Sequence, residues 1–438
     1  MAGGNWTKQN KVRPGAYINF KSEKKGENIS GERGIVTLPL ILPFGPEKKV
    51  LEVNTGTNIF DVVGIDINDS SALLIREALK RANKVLLYRL NSGERAKATH
   101  ENLTIEAKYS GTKGNNVKII IQTNIVDNTA FDVITMAGNM QIDKQSAVKT
   151  IADLKANQFV TFSGTGTLAA TAGINLTGGT DGTITNQNYT EYFEAIELYE
   201  FNTMGIATTD SSLKAVAVNF VKRLREQEGR KIQVVLEKYP EADYEGVISV
   251  KNGVILSDNT IITSDKAVAF VAGATAGADI NQSNTYVSYE GAMDVDTRYT
   301  NAEIESALKN GEIVFTINNG KVVIEQDINT LKTFTEERNK DFRKNRVLRV
   351  LDGINKEIKW LWDTRYVGKG HNNEDGRNLF KKDIIKLLES MQAVNALQNV
   401  VAEDVGILSG IDKDSVFVQI AAQPVDSMEK LYMEVEVR

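Results

Sequence analysis

The sequence predicts a multidomain α/β protein: a mixed α/β segment, an inserted all-β domain, a second α/β region with a largely parallel sheet, and an α+β C-terminal region. Three observations carry this. Strand-like and helix-like stretches alternate over residues 35–95 and again over 183–330, as they do where helices cover both faces of a parallel sheet. Between them, from about Ala96 to Gly179, the composition shifts toward Thr, Asn, Gly and Ile. Beyond residue 331 two amphipathic helical patterns lead to an alternating, strand-like end. The expected segments are an N-terminal arm (1–33), a first α/β piece (34–95), a β-sandwich insert (96–180), a second α/β piece (181–330) and a C-terminal domain (331–438). A chain of 438 residues is long for one core.

Residues 1–14 are polar and carry Gly3, Gly4 and Pro14, so they read as a flexible lead. Pro14-Gly15 punctuates the start of a short alternating strand, Ala16, Tyr17, Ile18, Asn19 and Phe20, which polar residues 21–33 isolate from the rest. Local sequence suits an edge strand of its own domain; a strand lent to another chain's sheet is the sharper alternative. Ile35–Leu42 reads as a strand, and Asp69-Ser-Ser71 offers caps for a helix that turns Leu74, Ile75, Ala78, Leu79 and Ala82 inward. Val85–Leu90 follows as a buried strand.

In the insert, runs at 103–109, 117–123, 131–136 and 159–162 are separated by turn residues, the pattern of a small sandwich or barrel. A helix is expected over Glu191–Glu200, then a strand at Thr203–Thr208. Ser211 or Ser212 would cap a helix burying Val216, Phe220, Val221 and Leu224, with the next strand at Lys231–Leu236. Ala269–Ala278 is rich in small residues, so a helix there can approach a neighbour closely. Val322–Leu331 begins as a strand that breaks at Asp327-Ile-Asn329. Val347, Leu351, Ile354, Ile358 and Leu361 then mark one helical face, and Phe380, Ile384, Leu387, Leu388 and Met391 a second. Leu431, Tyr432, Met433, Glu434, Val435, Glu436 and Val437 alternate apolar with polar as a half-exposed strand does.

Chemistry is conspicuous by its absence. Zero cysteines exclude disulfides, thiolate metal sites and a Cys nucleophile. The two histidines, His100 and His371, lie in polar, turn-like stretches and read as exposed loop residues. No Gly-x-Ser-x-Gly elbow, phosphate loop or complete dinucleotide fingerprint occurs. Asp294 and Asp296 lack a third ligand, and the 66–70 segment lacks the glycine and closing glutamate of a calcium loop. No catalytic, metal or cofactor site is expected. A net charge of −5 gives no pull toward nucleic acid or an anionic membrane. The start of the chain has no apolar signal segment, and no run reaches the ~20 apolar residues of a membrane span. Lys332, Arg338, Lys340, Arg343, Lys344, Arg346 and Arg349 nevertheless make 332–349 basic, whereas the tail from Asn399 is acidic. These are either solvated surfaces or complementary patches that meet between copies of the chain or against another protein. Trp360 and Trp362 are expected to pack rather than to stack on bases.

Several motifs, in order along the chain, resemble contractile-tail sheath proteins, the family of phage tails and R-type bacteriocins. They are Pro14–Ile18, the Ala107–Val117 turn, Gly178-Gly-Thr-Asp-Gly182, Ala272-Gly273 with Ser283–Tyr286, Glu325–Leu331, Val347–Val350 with Asp352, and Tyr366–Lys369. The resemblance implies a subtilisin-like central α/β fold, an outward β-domain, and no enzymatic activity. It implies many copies in stacked rings around a tail tube, contracting to drive the tube through a cell envelope. The implied partners are further copies of the chain, the tube protein, and baseplate and tail terminator proteins, without nucleic acid or membrane insertion. Assembly is expected in the cytoplasm of the producing bacterium, before the protein becomes part of the tail particle. A type VI secretion-like sheath is the nearest alternative, and a hydrolase of subtilisin-like fold a more distant one. Under this resemblance the strands 16–20 and 431–437 are exchanged between subunits, with Pro14-Gly15 and Gln423-Pro424 as hinges. Arg377, Lys381, Lys382 and Lys386 on the second C-terminal helix are candidates to face the tube.

Overall fold

A computed structural model describes residues 2–4, 15–17 and 33–437. Its centre is a seven-stranded sheet in the order Glu312–Ile313, Val247–Val250, Gln233–Glu237, Thr203–Gly205, Ile35–Leu40, Lys84–Arg89, Val50–Asn54. All neighbours run parallel except Val50–Asn54, which closes one edge antiparallel to Lys84–Arg89. Ile35–Leu40 and Gln233–Glu237 are buried along their whole length, as strands covered on both faces must be.

One face carries the Leu73–Leu79 and Ser264–Gly277 helices, and the other carries Asn186–Ile196 and Ser211–Glu226. The small-residue helix does approach closely: a Cβ at Gly273 would lie 2.3 Å from the Ala78 carbonyl oxygen, and one at Gly277 1.9 Å from that of Arg81. Glycine at both positions lets the two backbones touch.

Four local expectations are corrected. The helix placed at 191–200 runs Asn186–Ile196, because Thr185 and Asn188 form a capping box. The cap of the next helix is Asp210, whose carboxylate accepts from the Ser212 and Leu213 amides, not a serine. Val216 is 48% exposed, because the sheet covers the face carrying Ala217, Phe220, Val221 and Leu224. Trp360 is also exposed, one step off the buried face, while Trp362 packs against Tyr366 and Phe380.

The chain leaves the sheet after Leu90 and returns near Asp181. Between these points, the four-stranded sheet Met140–Val148, Phe131–Ala137, Val117–Thr123, Thr171–Asn175 faces the three-stranded sheet Val160–Gly164, Leu103–Ala107, Lys97–His100. Leu103, Ile105, Val117, Ile119, Ile121, Val133 and Phe159 fill the space between them. The outgoing and returning segments run side by side at the neck, where Asn91 Nδ2 donates to the Leu42 and Asp181 carbonyls at 2.9 and 2.8 Å. A Cβ on Gly182 would meet the Ser92 carbonyl oxygen at 2.1 Å, and Gly182 has φ +69°. Both facts explain the last glycine of the Gly-Gly-Thr-Asp-Gly stretch.

The C-terminal region pairs the helices Asn345–Leu361 and Glu374–Ala393 through a π turn at Trp362–Tyr366. Val350, Ile354, Leu361, Phe380, Ile384, Leu388 and Met391 form their shared core, and the hairpin Val405–Ser409/Val416–Ile420 lies against it. At the other end of the chain, Gly15–Tyr17 pairs in parallel with Ala2–Gly4. Ile18, Asn19 and Phe20 lie outside the described residues.

Candidate assembly site

The break at Asp327-Ile-Asn329 is a polar root from which the first C-terminal helix grows. Asp327 is 2% exposed. One of its carboxylate oxygens accepts from Asn345 Nδ2 at 2.8 Å and the other from the Asn284 amide at 2.9 Å. Arg349 stands 3.5 Å away, nearly buried beside it. Asn329 Nδ2 donates to the Phe342 carbonyl, while Thr330 Oγ1 accepts from the Tyr244 amide and donates to the Tyr244 carbonyl. Gln233 in the central sheet reaches Asn345 Oδ1 at 3.1 Å. Two turns beyond Asn345 on the helix, Asp352 receives both terminal nitrogens of Arg225 at 2.9 Å, a two-point contact that fixes the helix on the central domain. Buried polar groups persist only when paired, so this root sets the direction of the helix.

At Lys344 the basic run touches the acidic tail within one chain. Lys344 Nζ binds the Glu429 carboxylate and lies 3.5 Å from Asp426. Arg338 pairs with Glu245 and Glu226 of the central domain instead.

The C-terminal hairpin has register Val405 opposite Ile420 through Ser409 opposite Val416. Val405, Ile407, Val418 and Ile420 turn to the helical core, whereas Leu408 and Phe417 are 61% and 51% exposed. Among the described residues no strand pairs with either outer edge, so each presents free backbone donors and acceptors. The strand expected at 431–437 has no partner among the described residues, and Lys430–Val437 is exposed throughout. Gln423 and Pro424, expected as a hinge, are fastened: the Gln423 carbonyl accepts the Gln398 amide at 3.0 Å, and Pro424 bridges Leu397.

Beside the hairpin, a pocket of about 410 Å³ lies under the helical turn, lined by Trp362, Tyr366, His371, Arg377, Phe380 and Asp414 among others. Burial, reinforced by the bond that its hydroxyl donates to Asp383 at 2.8 Å, pushes the Tyr366 phenol up to about 12. Asn372 Nδ2 donates to the Lys413 and Ser415 carbonyls and so ties the pocket to the hairpin loop. Arg377 is half-buried here and engaged with Asn372, Lys381 is half-buried, and Lys382 and Lys386 are exposed. The four therefore form no single free basic face. His371 is exposed on the pocket rim; His100 is instead half-buried at the end of a strand, which corrects its reading as a loop residue. Asp294 pairs with Arg298, and Asp296 accepts the Gly253 amide. Among the described residues no cluster of three or more His, Asp or Glu is placed to hold a metal, and no helix is long and apolar enough to cross a membrane.

Comparison with known proteins decides the family. Four family models tile the chain: the Gp18 tail sheath domain III N-terminal region at 33–90, the phage tail sheath β-sandwich domain at 91–181, the phage tail sheath central domain at 182–330 and the phage tail sheath C-terminal domain at 337–438. The chain belongs to the phage tail sheath family. Sheath proteins are structural components, so the chain is not an enzyme. It is 42% identical to YqbK and 40% identical to the phage-like element PBSX protein XkdK, both of Bacillus subtilis strain 168, over 100% of each chain. Among solved structures, the sheath tail protein of Desulfitobacterium hafniense matches with TM-score 0.87 at 50% identity, covering 96% of this chain and 99% of that one. The sheath tail protein of Listeria innocua matches at 0.78 and 38% identity, covering 92% and 94%. The contracted helical sheath of the anti-feeding prophage shares the fold, with TM-score 0.54 at 14% identity over 97% of this chain and 99% of that one.

Proposed function

We propose that this sheath subunit polymerises around a tail tube and contracts to drive the tube through a cell envelope, with neighbouring copies linked by exchanged strands. One observation carries the reading: a two-stranded hairpin with both edges open stands in the same chain as an unpaired segment, Leu431–Val437, of strand-like alternation. Edge pairing between copies would satisfy both, with the 16–20 segment as the second donated strand. Each added strand would make roughly five main-chain hydrogen bonds worth about 1 kcal/mol net apiece. The gain per joint is modest, but it is repeated at every subunit of a lattice.

The central parallel sheet with helices on both faces is compatible with a subtilisin-like scaffold used here for shape alone. Contraction would need no nucleotide, because an extended lattice held behind a kinetic barrier releases free energy stored at assembly. The remaining partners in this reading are the tube, baseplate and terminator proteins. Lys382 and Lys386 are the exposed members of the proposed tube-facing set.

Negative-stain electron microscopy of the chain expressed alone, and then with its tube protein, tests the reading. Hollow tubes or stacked rings are expected. Uniform small particles in both samples would overturn it.

A further inference from the structure

The C-terminal arm is held at one residue just before it becomes free. The Glu429 side chain is 11% exposed. Its carboxylate receives Thr285 Oγ1 at 2.8 Å, Ser427 Oγ at 3.2 Å, Gln326 Nε2 at 2.7 Å and the Lys344 ammonium. A carboxylate offers about four lone-pair sites, so this one is saturated by donors from three other stretches of chain and from Ser427 in its own. Upstream, Gln423 and Pro424 are tied to the 397–398 turn, and the Val425 amide donates to the Ala396 carbonyl. Downstream, Lys430–Val437 is exposed and forms no strand. Attachment therefore ends at Glu429, beyond the Gln423-Pro424 pair that sequence alone suggests.

The N-terminal arm leaves from the same neighbourhood. Arg33 Nε donates to the Ala278 carbonyl at 3.2 Å, and its guanidinium lies among the charges of Arg349, Asp352 and Asp279. Arg349 in turn donates to the Gln282 carbonyl and pairs with Asp327, whose amide donates to Thr285 Oγ1 at 3.0 Å. Thr285 is the residue that also holds Glu429. The segment 278–285 thus carries the roots of both arms.

We propose that Glu429 is the anchor of the C-terminal arm, that Lys430–Val437 alone is the segment available to a second copy of the chain, and that both arms pivot about the common 278–285 root. This rests on the strand-exchange reading above. Its mechanical consequence is that a rotating body swings both of its connections about one point, so neither joint is stretched relative to the other.

Hydrogen–deuterium exchange on the full-length chain, unassembled and assembled, tests the anchor. In the unassembled wild type, the amides of 425–429 are expected to be protected and those of 431–437 to exchange freely. E429A should raise exchange over 425–429 by about tenfold or more, with 345–361 and 233–237 unchanged. Unchanged exchange over 425–429 would overturn the anchor. E429Q keeps the side-chain shape but loses the charge, and it is read by the same criterion if E429A does not fold. Assembly of the wild type should then protect 431–437. Free exchange there in assembled particles would sink the strand-exchange reading while leaving the anchor result in the unassembled chain intact.

Discussion

Around Asp327, buried polar side chains from the central sheet, the 278–285 segment and the first C-terminal helix find partners within the chain. Some distance along the same domain, the Val405–Ser409/Val416–Ile420 hairpin leaves both outer edges open and turns Leu408 and Phe417 outward. The difference follows from water. A buried polar group without a partner costs free energy it cannot recover, so the root closes on itself and fixes geometry. An exposed edge is satisfied by solvent until a better partner arrives. The fold is therefore rigid where bodies join and unfinished where copies are proposed to meet.

Removing the unfinished part should have the largest effect. Deleting 1–20 or 431–438 should abolish polymerisation seen by electron microscopy while the circular dichroism of a folded chain persists; normal tubes from both deletions would remove the contrast between the two regions. Opening the closed part should cost stability instead. Asp352→Ala would strand the nearly buried Arg225, and such broken pairs cost about 3–5 kcal/mol, read as a lower denaturant midpoint. In the helical layer over the sheet, Gly273→Ala would drive a methyl into the Ala78 carbonyl. It should lose about 1–3 kcal/mol by the same measurement.

Polar substitution of the exposed pair, Leu408→Ser with Phe417→Ser, should sharpen the contrast. Stability of the unassembled chain should move by less than about 0.5 kcal/mol per site, while assembly yield by sedimentation falls. The smallest effect belongs to pH. Burial pushes the Glu429 carboxyl up, but bonds from Lys344, Gln326 and Thr285 outweigh it and hold the group below the ordinary glutamate value. Its contribution is thus present above about pH 4.3 and is lost as pH falls through the lowered value. Protection of 425–429, corrected for intrinsic exchange rates, should weaken at acid pH in the wild type and stay flat in E429A.

Much of the scaffold was legible in the chain because its signals are local. Alternation marked the insert strands, three- and four-residue spacing marked both C-terminal helices, and the small residues of 269–278 announced a close helix contact that Gly273 and Gly277 provide. Periodicity gives an apolar face but not the edge of what covers it, which is why Val216 and Trp360 read as inward and lie exposed. The cap at Asp210 is not singled out by sequence, because serines one and two positions later carry the same capping chemistry.

Local pattern in the chain encodes the order of elements and the run of motifs that resembles the sheath family. The tertiary structure decided where each arm is held and which polar groups close on one another. Arg225 and Asp352 are 127 positions apart, and Thr285 and Glu429 are 144 apart. No local pattern encodes such pairings, because each is selected only when the folded backbone brings two desolvated groups within hydrogen-bonding distance.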